Sequence, residues 1–173
     1  MKKHNLNNSI SDEATLERSF SYCTESLKTI FLQIRRLKST EPEDSTFVFR
    51  QWADLRFLIL SLDRLSKAAS IATNVDEISS KVKQIQKEFT DSIPYLKKLR
   101  DIGEHFDAYS MDDGKLKDMS RKSLQVGTWS EDGLNFTWLD EEIDVMKCQE
   151  SAIKLYESMQ EIKNDFFKKK KTD

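Results

Sequence analysis

The chain has 173 residues, 38% of them hydrophobic and 34% charged, with a formal net charge of −2. That is enough chain for one domain with a sizeable core, in a balance typical of helix-rich proteins. A mildly acidic chain does not grip nucleic acid through bulk charge, so any such contact needs a local patch. The longest apolar run, Phe57-Leu58-Ile59-Leu60, is far too short to cross a bilayer. The start, Met1-Lys2-Lys3-His4-Asn5, lacks the apolar stretch of a signal peptide. These features predict a cytoplasmic protein with no membrane partner. Cys23 and Cys148 lie far apart with no Cys-x-x-Cys spacing, which predicts two reduced, partly buried thiols.

Residues 1–10 read as a flexible polar tail. From 11 to 38, Leu16, Phe20, Cys23, Leu27, Ile30, Ile34 and Leu37 recur at alternating spacings of four and three, the seam of a long helix that buries against another. The seam stops in a turn-like segment around Pro42. A second helix is expected over 45–73, with Phe49, Trp52, Leu55, Ile59, Leu62, Leu65 and Ala69 on its core face. Asn74-Val75-Asp76-Glu77 has the form of a capping box opening a third helix, whose stripe is Val75, Ile78, Val82, Ile85 and Phe89. Pro94 marks a break, with Asp91 or Ser92 available to cap a fourth helix over 93–109 that ends at Met111-Asp112-Asp113-Gly114.

The period then shortens to two. Leu124, Val126 and Thr128 alternate, as do Leu134, Phe136 and Trp138, around Ser130-Glu131-Asp132-Gly133. That pattern predicts a hairpin over 124–138, with Trp129, Phe136 and Trp138 packed on the helices. A last helix is expected from near Thr137 or Leu139 to beyond Phe166. Residues 168–173 form a basic tail read as a solvated helix end. The architecture expected is a single all-α domain over 1–173, a helical bundle of about five helices with a small β-hairpin inserted before the last helix.

Chemistry concentrates in Leu99-Arg100-Asp101-Ile102-Gly103-Glu104-His105-Phe106-Asp107. At 100° per residue, Ile93, Leu96, Leu99, Gly103 and Phe106 form an apolar arc, and Gly103 near its middle admits a close neighbour. His105 lies about 140° from the centre of that arc, outside the core. A solvated polar face with helix pairs Arg100–Glu104 and Asp101–His105 accounts for these residues without any chemistry. As residue types, however, arginine offers a permanent planar cation for a phosphate, and histidine serves as acid or base. With no metal cluster or cofactor motif in view, the pair suits metal-independent cleavage of an RNA phosphodiester. The two residues converge poorly on one ideal helix, which a second copy facing the first across a two-fold axis would remedy.

Arg100-Asp101-Ile102-Gly103-Glu104-His105, followed by Phe106-Asp107-Ala108-Tyr109, resembles the Arg-polar-x-x-x-His motif of the HEPN superfamily. The resemblance covers about ten residues. It implies an all-α, usually dimeric bundle, in whose active members arginine and histidine line a cleft between protomers and cut RNA without metal. Arg100 then stabilises the phosphate and His105 handles the proton, with Asp101 and Glu104 supporting. It also implies a toxin or phage-defence role, with an antitoxin or other protein partner. Toxins paired with a nucleotidyltransferase antitoxin often carry tyrosine two residues after the histidine, where this chain has Asp107. A non-catalytic HEPN-like dimerisation or protein-binding module fits the same residues.

Overall fold

A computed structural model describes residues 10–39, 45–117, 119, 124, 128 and 130–171, without the side chains of 45–48. Most of the expected N-terminal tail, the turn around Pro42, Val126 and Trp129 of the expected hairpin, and the end of the basic tail lie outside the described residues. The described residues form a mostly helical bundle with a small antiparallel hairpin before the last helix.

Helix α1 spans Asp12–Leu37, and Ser11 caps it by accepting from the Ala14 amide. Its 4-3 seam is buried, apart from the half-buried Phe20, and it packs along α2, Ser45–Ile71. The two run antiparallel: the Ser19 hydroxyl donates to the Ala68 carbonyl at 2.7 Å, and Arg36 at the far end pairs with buried Asp54 at 2.8 Å. The core face of α2 follows Trp52, Leu55, Leu58, Ile59, Leu62, Leu65 and Ala69. Phe49, expected on that face, is instead 71% exposed. It lies outward with Ala53, Phe57 and Leu60, because α1 and the hairpin pack on the opposite sides of the helix.

A 3-10 turn, Ala72–Asn74, leads into α3, Asp76–Ser92. The expected capping box does not form. The 3-10 turn holds Asn74 within the preceding turn, where its amide donates back to the Ile71 carbonyl, and Val75 is the residue at the N-cap. Pro94 breaks the chain as expected, with Ile93 non-helical at φ −130°. Neither Asp91 nor Ser92 caps the next helix: Asp91 pairs with Lys87, and the Ser92 hydroxyl donates to Phe89. Helix α4, Leu96–Glu104, ends at His105, and α5 covers Phe106–Ser110.

Strand β1, Asn135–Trp138, pairs with β2, Glu141–Asp144, from Asn135↔Asp144 to Trp138↔Glu141. The expected hairpin lies one strand earlier. Its turn is present, with the Gly133 amide donating to Ser130, and Ser130 and Thr137 make backbone bonds across it to Asn135 and Thr128. The regular ladder nevertheless forms on the other edge, through Leu139 and Asp140 at φ 56° and 62°. A two-residue turn with positive φ at both positions matches strand twist, but leucine gives no sequence signal for it. Phe136 and Trp138 both meet the Trp52 ring edge-on, at 6.1 and 6.2 Å, which seats the hairpin on α2.

The last helix, α6, spans Val145–Lys170 rather than starting near 137–139, because Asp144 caps it by accepting from the Met146 and Lys147 amides. Its C-terminal lysines are not merely solvated: Lys163 pairs with Glu17, Lys169 with Glu77, and Lys170 with Glu13. Cys23 and Cys148 are free and fully buried. Burial pushes their thiols up to about 12 and about 11, so neither forms thiolate near neutrality. Native protein at pH 8 is therefore expected to resist iodoacetamide, and denatured protein to take two adducts by mass spectrometry. One adduct on the folded chain would contradict this burial.

Candidate functional site

The four candidate site residues lie on α4 and at its end. The helix is pinned to α2 by Leu96, Leu99 and Ile102, all buried. This differs from the expected arc: Ile102 takes the inner position, and Phe106, expected inside, is 64% exposed. The cause is the backbone at His105, φ −114° and ψ 33°, which interrupts the helix and resets the phase of everything after it. Gly103 approaches no helix closely. A methyl group there would meet only the Trp138 ring, at an ordinary 3.5 Å. Gly103→Ala is thus expected to raise stability by about 0.5–1 kcal/mol through helix propensity, measured by urea denaturation.

Arg100 reaches back toward α2, and its side chain is 19% exposed. Nη1 pairs with Asp101 at 2.7 Å and Glu104 at 3.1 Å, and Nε faces Asp63 of α2 at 3.5 Å. The other oxygen of Asp63 holds Lys67 at 2.7 Å. Burial alone lowers the Arg100 pKa; the hydrogen bond to Glu104 and the charges of Asp63 and Asp101 outweigh it, leaving the pKa raised. The expected Arg100–Glu104 pair therefore exists. The expected Asp101–His105 pair does not, since the Asp101 carboxylate is turned to Arg100. Only the backbones of those two residues meet, the His105 amide donating to the Asp101 carbonyl at 3.1 Å.

His105 is exposed, and its imidazole has no hydrogen-bond or ion-pair partner among the described residues. Arg100 and His105 are not brought into contact within one copy. Arg100 does line a cleft of about 90 Å³ between α2, α4 and the hairpin, floored by Ile59, Leu99 and Trp138. Arg56 stands on the opposite wall, its guanidinium 6.0 Å from the centre of the Trp138 ring. Sequence reasoning missed both Asp63 and Arg56. Each is one charge on a long helix, and nothing in the local pattern marks which of them faces α4.

No protein-family model, curated protein or solved structure matches the chain. A larger depression, about 270 Å³ between α3 and α6, is rimmed by Glu88 and Lys154 and contains none of the candidate site residues. Among the described residues no helix is long and apolar enough to cross a membrane.

Proposed function

We propose that the chain is a HEPN-like, metal-independent endoribonuclease whose working site forms between two copies. Arg100 holds the scissile phosphate and His105 moves the proton. The observation that carries this reading is the placement of His105: an unpartnered imidazole stands exposed at a helix break, one turn beyond an arginine that lines a cleft. In the reaction the 2′-hydroxyl oxygen attacks the adjacent phosphorus as its proton passes to a base. The bond to O5′ breaks and O5′ takes a proton from an acid, leaving a 2′,3′-cyclic phosphate and a 5′-hydroxyl. One imidazole fills one of those roles at a time. His105 is the one histidine among the described residues, so a second copy supplies the other.

Exposed Phe106 and Met111 on and beside α5, with Phe49 and Phe57 on α2, offer apolar surface for that second copy. Within this reading the protein works in the cytoplasm, consistent with two free thiols, as a toxin or defence effector held in check by a protein partner. The test is incubation with single-stranded RNA in EDTA, beside Arg100→Ala and His105→Ala. Metal-free cleavage that needs both residues supports the reading, and cleavage that survives both substitutions contradicts it.

A second reading, a non-catalytic dimerisation or protein-binding module, is favoured by one observation. Three carboxylates surround the single guanidinium of Arg100, more than its charge requires. Such a cluster interlocks α2 and α4 well and repels a phosphate until one carboxylate moves away. That reading expects stable dimers or complexes and no cleavage.

A further inference from the structure

The carboxylates around Arg100 differ in how firmly they are held. Asp63 is 18% exposed and anchored from its other side by Lys67. Asp101 and Glu104 are 35% and 45% exposed and sit on the same short helix as Arg100, with no second cation holding them. Glu104 accepts a hydrogen bond from Nη1, Asp101 pairs with the same nitrogen, and Asp63 lies 3.5 Å from the buried Nε without a hydrogen bond; Nη2 makes no hydrogen bond among the described residues. The exposed Arg56, which also lines the cleft, makes no ion pair or hydrogen bond among the described residues, and its guanidinium lies 6.0 Å from the centre of the Trp138 ring. A cleft of about 90 Å³ has room for a few waters or one tetrahedral oxyanion.

We propose that this cleft is a phosphate subsite in which Arg56 and Nη2 of Arg100 hold one phosphodiester of a single-stranded RNA from opposite walls. The proposal rests on the ribonuclease reading for the identity of its ligand. Glu104 and Asp101 rotate off as the phosphate enters. Asp63 stays and acts as a positioning residue, keeping Nε of Arg100 turned to α2 and Nη2 turned to the cleft. Once the two mobile carboxylates have swung to solvent, Lys67 offsets Asp63, and Arg56 and Arg100 together face the single charge of the incoming anion, so the site keeps a net positive charge. The apolar floor of Ile59, Leu99 and Trp138 lowers the local dielectric and strengthens both charge-assisted hydrogen bonds.

The experiment measures binding of a fluorescein-labelled, 12-nucleotide single-stranded RNA in EDTA, on a His105→Ala background that cannot process it. Arg56→Ala is expected to weaken binding about tenfold and to flatten the dependence of log K on log salt by about 0.7. Arg56→Lys keeps the salt slope and restores only part of the affinity. Arg64→Ala, which removes another exposed α2 arginine outside the cleft, changes affinity by no more than about twofold. Asp63→Asn, by freeing the Arg100 side chain, weakens binding without changing the slope. Equal effects of Arg56→Ala and Arg64→Ala, or no binding of the RNA at all, overturn the subsite. Arg56-dependent binding by a protein whose wild-type form never cleaves overturns the ribonuclease reading and leaves the subsite standing.

Discussion

Gly133→Ala is expected to cost about 3 kcal/mol of stability. Two independent penalties combine there. Gly133 has φ +68°, in the left-handed region that a Cβ opposes. An added Cβ would also lie 2.7 Å from the Leu37 carbonyl oxygen, the end of α1. That atom is backbone and cannot swing aside as a side chain would. Either the turn lifts off α1 or the turn itself opens. Lifting pulls Phe136 and Trp138 from Trp52, so the penalty spreads to the seat of the hairpin. Glu131→Ala, on the exposed surface of the same turn, is expected to stay within about 0.5 kcal/mol of the parent. Urea midpoints of the two variants side by side provide the check, and equal midpoints would contradict the close approach of the turn to α1.

The second large effect follows from the proposed ribonuclease activity. His105→Ala is expected to lower the metal-free cleavage rate about 10²–10⁴-fold, the usual range for loss of an acid or base. Because the His105 side chain is exposed and unpartnered, stability should move by less than about 0.5 kcal/mol. That combination, a large loss of rate with unchanged unfolding, separates a chemical role from a packing role. Arg100→Ala is expected to cost about 10²–10³-fold in rate. It also loosens α4 from α2 by removing the counter-charge of Asp63. Arg100→Lys should not rescue the rate, since an ammonium cannot bind a carboxylate at one edge and a phosphate at another. The double variant should be little worse than the slower single one, because in the proposed mechanism the two residues act on one transition state.

Much of the fold is legible in the sequence wherever one face of an element carries the whole signal. The 4-3 seam of α1 is such a case, and so is the alternation that places Phe136 and Trp138 inward. Legibility fails where apolar residues do more than fill the core. Phe49 and Phe106 match the period of their helices and still face solvent, because period alone does not say which neighbours a helix meets. The Leu139–Asp140 turn is invisible for another reason. Leucine at φ 56° runs against its own steric preference and is held there by its burial in the core. At the candidate site, local spacing reveals Arg100, Glu104 and the exposure of His105. The partners from other elements, Asp63, Arg56 and Trp138, depend on how α2, α4 and the hairpin pack, and no local pattern encodes that.

In the proposed mechanism two copies build one site from their Arg100 and His105 residues. Its most direct test mixes wild-type protein with His105→Ala in about ninefold excess. RNA is kept saturating, and a tagged variant confirms that subunits have exchanged. If both copies contribute, a wild-type chain meets another in only about one dimer in ten, and the cleavage rate per wild-type chain falls about tenfold. A rate that stays constant as the variant is added would mean that one His105 suffices for a site, and would contradict the pairing of two histidines, one from each copy.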